Sequence, residues 1–245
     1  MSAQPTPTPP PPPHPADAAQ PQTPPPAYRV ALLAFDGMEA MDFAGPFEVF
    51  TTAARMHART VAAGAHCRLP QAPQPPLFTV TTVAPTQAPV VARAGLRVLP
   101  DLDCAQHARN GTPADLLLVP GGVVDAAMAC PVIRQWVQAT AATATWTGSV
   151  CTGAFILAAA GVLHGRATTH WEDLDDLRQR FPALEVVGGV QWVDQGRVLT
   201  SAGISAGVGM SLHLVSKMAQ HAGLDGPALA QRTARQLETP WNPLP

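Results

Sequence analysis

Cys151 has the strongest claim to chemistry in this sequence, because the pattern of the chain changes from strand to helix at that residue. The segment Thr145 to Val150 is typical of a short buried strand, and apolar residues recur at helical spacing from Ala154 to Ala158. Small residues, Ser149 and Gly153, stand two positions to either side, as a sharp turn requires. These features predict a nucleophile elbow, which lifts its central side chain out at the carboxyl edge of a sheet.

A cysteine on such a turn is expected to act as a nucleophile. The first amides of the following helix and the positive end of its dipole favour the thiolate. We therefore predict that the pKa of Cys151 is depressed. We also predict that it is alkylated before the other cysteines, because we place only Cys151 at the amino end of a helix. The alternative is an inert buried thiol, which is the common state of a free cysteine.

The elements around the elbow alternate between strand and helix. The predicted strands are Tyr28 to Phe35, Leu77 to Val83 and Leu116 to Val119, and the predicted helices are Gly45-Pro46 to about Met56, Pro131 to Ala141, Met210 to Ala222 and Pro227 to Leu237. Tyr28 to Phe35 is apolar almost throughout, as a strand buried on both faces of a parallel sheet would be. The sequence therefore predicts a single-domain α/β fold, a three-layer sandwich with a mainly parallel sheet.

Three positions that are distant in the sequence are expected to meet at the carboxyl edge of this sheet. Asp42 lies in the predicted loop after the first strand, Gly121-Gly122 follows the strand that starts at Leu116, and Cys151 is on the elbow. Ligands of such folds bind at the carboxyl ends of the strands. The sequence thus predicts a site at that edge.

Two hairpins and one further helix complete the predicted elements. The hairpins are Pro89 to Leu99, at the edge of the sheet, and Val190 to Thr200. The helix, Trp171 to Phe181, is amphipathic. Its apolar face carries Trp171, Leu174 and Leu177, and its acidic face, which we interpret as solvated, carries Glu172, Asp173, Asp175 and Asp176.

The composition favours a protein that handles small molecules. A formal net charge of −2 over 245 residues gives no electrostatic footprint for nucleic acid or an anionic membrane. The four cysteines are Cys67, Cys104, Cys130 and Cys151. They form no C-x-x-C pair and have no histidines at zinc-ligand spacing, so we predict no metal site.

The start of the chain has no basic region followed by an apolar run, which a signal peptide would have, so we expect the protein to be cytoplasmic.

Proline content sets the expected domain boundaries. Met1 to Ala27 is rich in proline, alanine, glutamine and threonine, and we predict that it is a disordered leader. One α/β domain is expected from Tyr28 to Pro245. Within it, Gly64 to Pro76 carries four prolines and is predicted to be a surface loop.

Four blocks of this sequence resemble the ThiJ/PfpI superfamily, which belongs to the flavodoxin-like class I glutamine amidotransferase-like fold. The blocks are Asp42 to Phe50, Leu117 to Gly122, Cys151 to Ala154 and Arg166 to Trp171. They look most like the isonitrile hydratase branch and the sensor half of AraC-type transcription regulators. The resemblance covers about Tyr28 to Leu237 and implies the α/β sandwich with a cysteine on its elbow.

The resemblance also implies a role for Asp42, which matches the acidic residue that the isonitrile hydratase branch places beside its cysteine. Asp42 is then expected to move a proton, and the alternative is that it caps the helix that follows. Thr152 stands where the peptidase-like branch has a histidine, which weakens a protease interpretation. His170 resembles the histidine that other branches bring near the cysteine, and the alternative for it is a structural hydrogen bond.

A thiolate that attacks carbon needs hydrogen-bond donors for the anion formed. The backbone amides of Gly121, Gly122 and Thr152 are the candidates, because a glycine pair lets the main chain approach a ligand closely. The hydroxyl of Thr152 is a further donor. We expect this array beside Cys151.

The resemblance implies a cysteine-dependent hydro-lyase that needs no cofactor. It would add water to an isonitrile through a thioimidate on Cys151 and release an N-substituted formamide. One alternative is a non-catalytic ligand-sensing module that regulates transcription through a partner, and another is a stress protein whose Cys151 is oxidised. The expected partners are a small-molecule substrate or ligand and a second copy of the chain in a homodimer, without direct contact with nucleic acid or a membrane.

Overall fold

The computed structural model describes residues 27–64, 75–111 and 113–242. The predicted leader, apart from Ala27, and most of the predicted loop Gly64 to Pro76 lie outside the described residues. The strands are β1 (Tyr28–Leu33), β2 (Phe78–Ala84), β3 (Val90–Val91), β4 (Arg97–Val98), β5 (Leu102–Asp103), β6 (Leu116–Val119), β7 (Trp146–Val150), β8 (Arg166–Ala167), β9 (Glu185–Val186), β10 (Trp192–Asp194) and β11 (Val198–Ser201). The helices are α1 (Ala40–Gly64), α2 (Cys104–Arg109), α3 (Asp125–Ala129), α4 (Pro131–Thr143), α5 (Gly153–Ala159), α6 (Leu174–Arg180), α7 (Ser205–His221) and α8 (Gly226–Gln236).

In this part of the chain seven strands form one sheet in the order β10-β11-β7-β6-β1-β2-β5. Neighbouring strands run parallel except β10, which pairs antiparallel with β11. The inner strands β1 and β6 are buried along almost their whole length, which explains their continuous apolar sequence. The carboxyl ends of β1, β6 and β7 therefore meet at one edge of the sheet.

Two groups of helices cover the sheet. Helices α1, α7 and α8 pack on one another, and α1 also contacts β1 and β2. In the second group α4 contacts α2, α3 and α5, and both α4 and α5 contact β6. The predicted single-domain α/β fold with a mainly parallel sheet is confirmed.

Helix α1 begins at Ala40 and not at Gly45-Pro46, so the predicted loop position of Asp42 is wrong. Asp42 lies in the first turn of α1, and Pro46 lies inside the helix. Proline has no N–H to offer the carbonyl four residues before it, so the helix loses one hydrogen bond there. Burial of Val49 and Phe50, both fully buried, favours the helix in spite of that loss.

The predicted hairpin Pro89 to Leu99 forms, but as the separate two-stranded sheet β3–β4 and not at the edge of the main sheet. It is bonded to the loop after β1. Gly37 N–H donates to the Val91 carbonyl at 2.8 Å, and Arg93 N–H donates to the Met38 carbonyl at 2.9 Å. These bonds hold the hairpin beside the edge of the sheet where ligands are expected.

The predicted helix Trp171 to Phe181 is a short 3-10 turn, Trp171–Asp173, followed by α6. Leu177 is buried as expected. Trp171 is 72% exposed, so its predicted place on the apolar face is wrong. The change from 3-10 to α winding alters the angle between successive residues, and Trp171 therefore leaves the face that Leu177 occupies. None of the described helices is long and apolar enough to cross a membrane.

Candidate active site

Cys151 lies between β7 and α5 with a φ of 56°, a left-handed conformation that is rare for a residue with a side chain. Its N–H donates to the Ser201 carbonyl at 3.2 Å, and its carbonyl accepts a hydrogen bond from the Thr169 hydroxyl at 2.9 Å. Such strain costs on the order of 1–3 kcal/mol and persists only where the surrounding structure fixes it. The predicted strand–elbow–helix geometry is present.

Gly153, two residues after the cysteine, allows α5 to start against the end of β6. A Cβ atom at this position would lie 2.3 Å from the Val119 carbonyl oxygen, so no larger residue fits without a shift of backbone. The small residue that the elbow pattern requires is therefore explained by contact between two pieces of main chain.

Asp42 reaches the elbow from α1 and is completely buried, at 0% exposure. Its Oδ2 accepts a hydrogen bond from Gly121 N–H at 3.2 Å, and Oδ1 makes no hydrogen bond of ordinary geometry with any described residue. Burial raises the pKa of Asp42 to about 6, although contacts with the Cys151 thiol and with the amides of Gly121 and Ile204 favour the charged form. Asp42 is thus bonded to the loop after β6 and not used as a cap of its own helix.

The pKa of Cys151 is shifted upwards, opposite to the predicted depression. Burial, and next the neighbouring Asp42 carboxylate, raise the pKa of Cys151 to about 12, against the opposing hydrogen bond from Thr152 N–H. The dipole of α5, a helix of only seven residues, does not outweigh these two effects. The argument from helix position was also wrong, because Cys104 is the first residue of α2 and Cys130 directly precedes α4.

Two of the three amides expected to form an anion-binding array, those of Gly121 and Gly122, are already engaged within the protein. Gly121 N–H is bonded to Asp42, and Gly122 N–H donates to Thr152 Oγ1 at 2.8 Å. Thr152 Oγ1 in turn donates to the Gly122 carbonyl at 2.9 Å. These donors therefore hold Asp42 and Thr152 in place, whereas the Thr152 N–H faces the Cys151 sulfur, and its role in binding an anion stays a prediction.

The glycine pair is required by the same close packing. A Cβ on Gly121 would lie 2.6 Å from Thr152 N and 2.9 Å from Asp42 Oδ2. Gly122 has a φ of 132°, and a Cβ there would lie 2.3 Å from the Gly37 carbonyl oxygen. The main chain does approach another group closely, as expected of these glycines, but that group belongs to the protein.

His170 lines the same cavity as Cys151. Its Nδ1 lies 3.4 Å from Asp173 Oδ2 and 3.7 Å from Glu172 Oε2, and its side chain is 20% exposed. The ring packs against Gly203, where a Cβ would come within 2.2 Å of the histidine Cδ2. The structure thus places His170 beside the elbow, while its role stays a prediction.

The cavity in front of Cys151 has a volume of about 310 Å³. Sequence patterns gave no role in the site to several of the residues that line it, because these come from loops and turns without a periodic signal. Those residues are Glu39, Arg93, Val123, Glu172, Asp173 and Ile204. Asp173, expected on a solvated helix face, lies partly buried at this cavity, and burial raises its pKa. For Arg93, the sequence predicted only the hairpin that carries it.

Fold and site together define an α/β protein with a cysteine on a nucleophile elbow, at the carboxyl edge of a parallel sheet and beside a buried carboxylate. The DJ-1/PfpI family model matches residues 28–217, and the chain belongs to this family. The resemblance to the ThiJ/PfpI superfamily that the sequence blocks carry is therefore confirmed.

Known relatives include both enzymes and regulators. The chain is 30% identical to an isonitrile hydratase of Pseudomonas putida over 210 residues, which cover 84% of this chain and 77% of that protein. It is 28% identical to the HTH-type transcriptional regulator CdhR of Pseudomonas aeruginosa over 205 residues, 83% of this chain but only 53% of the regulator. A solved ThiJ/PfpI family protein from Pseudomonas syringae superposes with a TM-score of 0.68 at 26% identity, covering 93% of this chain and 81% of that one. The regulator among these relatives runs against the expectation of no contact with nucleic acid, which stays a prediction.

Proposed function

We propose that the protein hydrates an isonitrile to an N-substituted formamide, with Cys151 as the nucleophile and Asp42 as the group that moves protons. The observation that carries this proposal is the contact between the buried Asp42 carboxylate and the Cys151 thiol. Burial raises the pKa of both groups, to about 6 for Asp42 and to about 12 for Cys151, and because two ionisable groups in contact titrate as a pair, the carboxylate and the thiol share one proton near neutral pH. An acid and a base are thus available together at one point.

The first half-reaction adds the thiol across the terminal carbon of the isonitrile. The carboxylate of Asp42 takes the proton from Sγ and delivers it to that carbon, while the sulfur lone pair forms the S–C bond. The product is a neutral thioimidate, R–N=CH–S–Cys151. No proton is lost or gained overall, and Asp42 returns to its carboxylate form.

The second half-reaction adds water to the thioimidate carbon. Asp42 accepts a proton from the water as the C–O bond forms and passes that proton to the nitrogen, which gives R–NH–CH(OH)–S–Cys151 and restores the carboxylate. Cleavage of the C–S bond, with proton transfer from the hydroxyl to the sulfur through Asp42, releases R–NH–CHO and restores the thiol. The sum is one isonitrile plus one water to one formamide.

The engaged amides support this chemistry over acyl transfer. Hydrolysis of an amide or ester passes through a tetrahedral oxyanion that needs free N–H donors. The amides of Gly121 and Gly122 beside Cys151 are bonded within the protein. Addition to an isonitrile with concerted protonation of carbon forms a neutral thioimidate, so an oxyanion site is not required for that step.

The decisive experiment follows turnover and the covalent adduct together. The full chain is incubated with an alkyl isonitrile, formamide is measured by proton NMR, and the intact protein mass is measured after a rapid acid quench. We expect formamide to accumulate and a fraction of the protein to gain the mass of one isonitrile, located on the Cys151 peptide. Absence of both products would refute the proposal.

A ligand-sensing module is the second candidate, favoured by the match to half of the regulator CdhR. In that case an isonitrile or another small ligand would bind the cavity without formamide production. Saturable binding with no turnover by the wild-type chain would select the sensor over the hydro-lyase. Oxidation of Cys151 to a sulfinate is less well supported, because the reactive form in oxidation is a thiolate and burial raises the pKa of this thiol.

A further inference from the structure

The charges that line the cavity are unbalanced. Three carboxylates, those of Glu39, Glu172 and Asp173, share it with one guanidinium, that of Arg93. No described carboxylate lies within ion-pair distance of Arg93. The carboxylates that line the cavity therefore outnumber its guanidinium by two. The fully buried Asp42, whose Oδ1 has no regular hydrogen bond among the described residues, contacts Cys151 in the same wall and increases this imbalance.

Two of the carboxylates stand on one side of the cavity, together with aromatic rings. Glu172 and Asp173 follow Trp171 in the 3-10 turn, and the centroids of the Trp171 and His170 rings are 5.7 Å apart. Trp171 is not one of the residues that line the cavity, but its indole is 72% exposed and lies next to His170 and Glu172, which do line it, so one large aromatic face is available to a group that extends out of the cavity. Carboxylates beside an exposed tryptophan form the usual environment for an ammonium group, which is attracted by both the charge and the ring quadrupole.

We propose that the group carried by the substrate nitrogen is cationic, an amine or a quaternary ammonium, and that Glu172, Asp173 and Trp171 hold it while the isonitrile carbon faces Cys151. This inference rests on the proposed hydration for the reacting end and on the cavity charges for the other end. A substrate anchored as a carboxylate by Arg93 is the opposite case, in which the three acidic residues would repel it.

The test compares isonitriles that differ only in charge. One carries a trimethylammonium group, and its neutral isostere carries a tert-butyl group in the same place. A third substrate carries a carboxylate. For exposed and half-exposed charges we expect kcat/KM to be about tenfold higher for the cationic substrate than for its isostere at low salt. The ratio should fall towards one near 1 M salt, where the Debye length is about 3 Å.

A double variant locates the effect. Glu172→Gln with Asp173→Asn should lower the cationic-to-neutral ratio of kcat/KM to about two, because both nearby charges are removed without loss of volume. The matched control is Asp175→Asn with Asp176→Asn, which removes the same charge from side chains of α6 that are 96% and 56% exposed and lie outside the cavity lining. The control should keep the wild-type ratio. Since the ratio is taken within one protein, a general loss of rate cancels.

Two results would overturn the inference while leaving the hydration standing. They are a wild-type ratio at or below one, and an equal fall of the ratio in the control variant. If no isonitrile is hydrated, the proposed function fails and the binding claim is tested separately. The trimethylammonium-bearing formamide and its tert-butyl counterpart are then compared by saturation-transfer NMR, which requires no turnover. Stronger binding of the cation, lost in the Glu172→Gln/Asp173→Asn variant, supports the inference, and equal binding of the two refutes it.

Discussion

Cys151 and Cys104 are both buried, at 8% and 4% exposure, both lie at the start of a helix, and both have a pKa raised to about 12 by burial. Each also has an aspartate as its next strongest influence, Asp42 for Cys151 and Asp103 for Cys104. By burial, helix position and pKa alone the two thiols are equivalent. The two thiols differ in the groups to which the carboxylates of the neighbouring aspartates are hydrogen-bonded.

Asp103 is the N-cap of α2, and its Oδ1 accepts a hydrogen bond from Gln106 N–H at 2.7 Å in a capping box. Its carboxylate is therefore committed to its own helix. Asp42 lies inside the first turn of α1, bonds to a different loop and keeps one oxygen without a regular partner. The cavity at Cys104 is larger, about 640 Å³, but is lined mainly by apolar residues of α2 and α4. Size and burial do not distinguish the two thiols, whereas the contact of Cys151 with a buried carboxylate does.

The sharpest way to break this comparison is to remove each thiol in turn. Cys151→Ser should abolish isonitrile turnover and the covalent adduct, because a serine hydroxyl cannot replace the sulfur without a stronger base. Cys104→Ser should leave turnover within about twofold of wild type, with a loss of stability. The measurement is formamide formation with intact mass. Full activity of Cys151→Ser would remove the elbow from the mechanism.

The two aspartates provide the next contrast. Asp42→Asn should lower kcat/KM about a hundredfold to ten-thousandfold, since a group that moves protons is replaced by one that cannot. Asp103→Asn should be nearly silent, because asparagine caps a helix about as well as aspartate. The wild-type pH profile should rise through about pH 6 as Asp42 ionises, and the residual activity of Asp42→Asn should lack that step. An unchanged step in the variant would assign the ionisation to another group.

Stability should reveal the buried charge of Asp42 independently of activity. The pKa in the fold, about 6, is raised above the ordinary value, so the folded state binds more protons than the unfolded state between about pH 4 and pH 6. Wild-type stability attributable to this group is therefore fully present below pH 4 and is lost as the pH rises through 6, by on the order of 3 kcal/mol. The free energy of unfolding of Asp42→Asn and of wild type is measured with denaturant at pH 4 and at pH 7.5. The variant should become more stable relative to wild type between the lower and the higher pH. Asp103→Asn should show no such trend.

The rates at which Cys151 and Cys104 are alkylated provide a further comparison, with a smaller expected effect. Iodoacetamide at pH 7 to 8 should modify Cys151 slowly, because a thiol whose pKa is raised to about 12 holds little thiolate. Asp42→Asn should speed modification of Cys151 by about tenfold, and leave Cys104 unchanged, because only Cys151 loses a neighbouring negative charge. Peptide mass mapping over time gives both rates in one sample. Rapid labelling of wild-type Cys151 at mildly acidic pH would contradict the neutral thiol.

The last prediction concerns the oligomeric state and does not depend on either cysteine. We expect a homodimer, since symmetric dimers are the commonest oligomers of soluble proteins. Sedimentation at micromolar concentration should give a mass near twice that of one 25.6 kDa chain. A mass near one chain would require the cavity to work without a second copy.

The sequence by itself determined the layout of the fold, because the signals for it are local. The apolar run of β1, the strand–cysteine–helix change around Cys151 and the glycines after β6 each follow from short-range geometry, and all three were confirmed as structure. Parallel strands place their carboxyl ends together, so the meeting of Asp42, Gly121 and Cys151 at one edge also followed from the order of elements.

Only the tertiary structure decided how these groups behave. The start of α1 at Ala40 depends on packing that outweighs an internal proline, and it places Asp42 within the core rather than in a loop. The pKa of Cys151 depends on burial and on a carboxylate 109 positions away in the chain, two effects that no local pattern carries. The occupancy of the Gly121 and Gly122 amides depends on partners from α1 and from the elbow. Electrostatic interactions act through space, and the sequence alone does not give the distances and burial on which they depend.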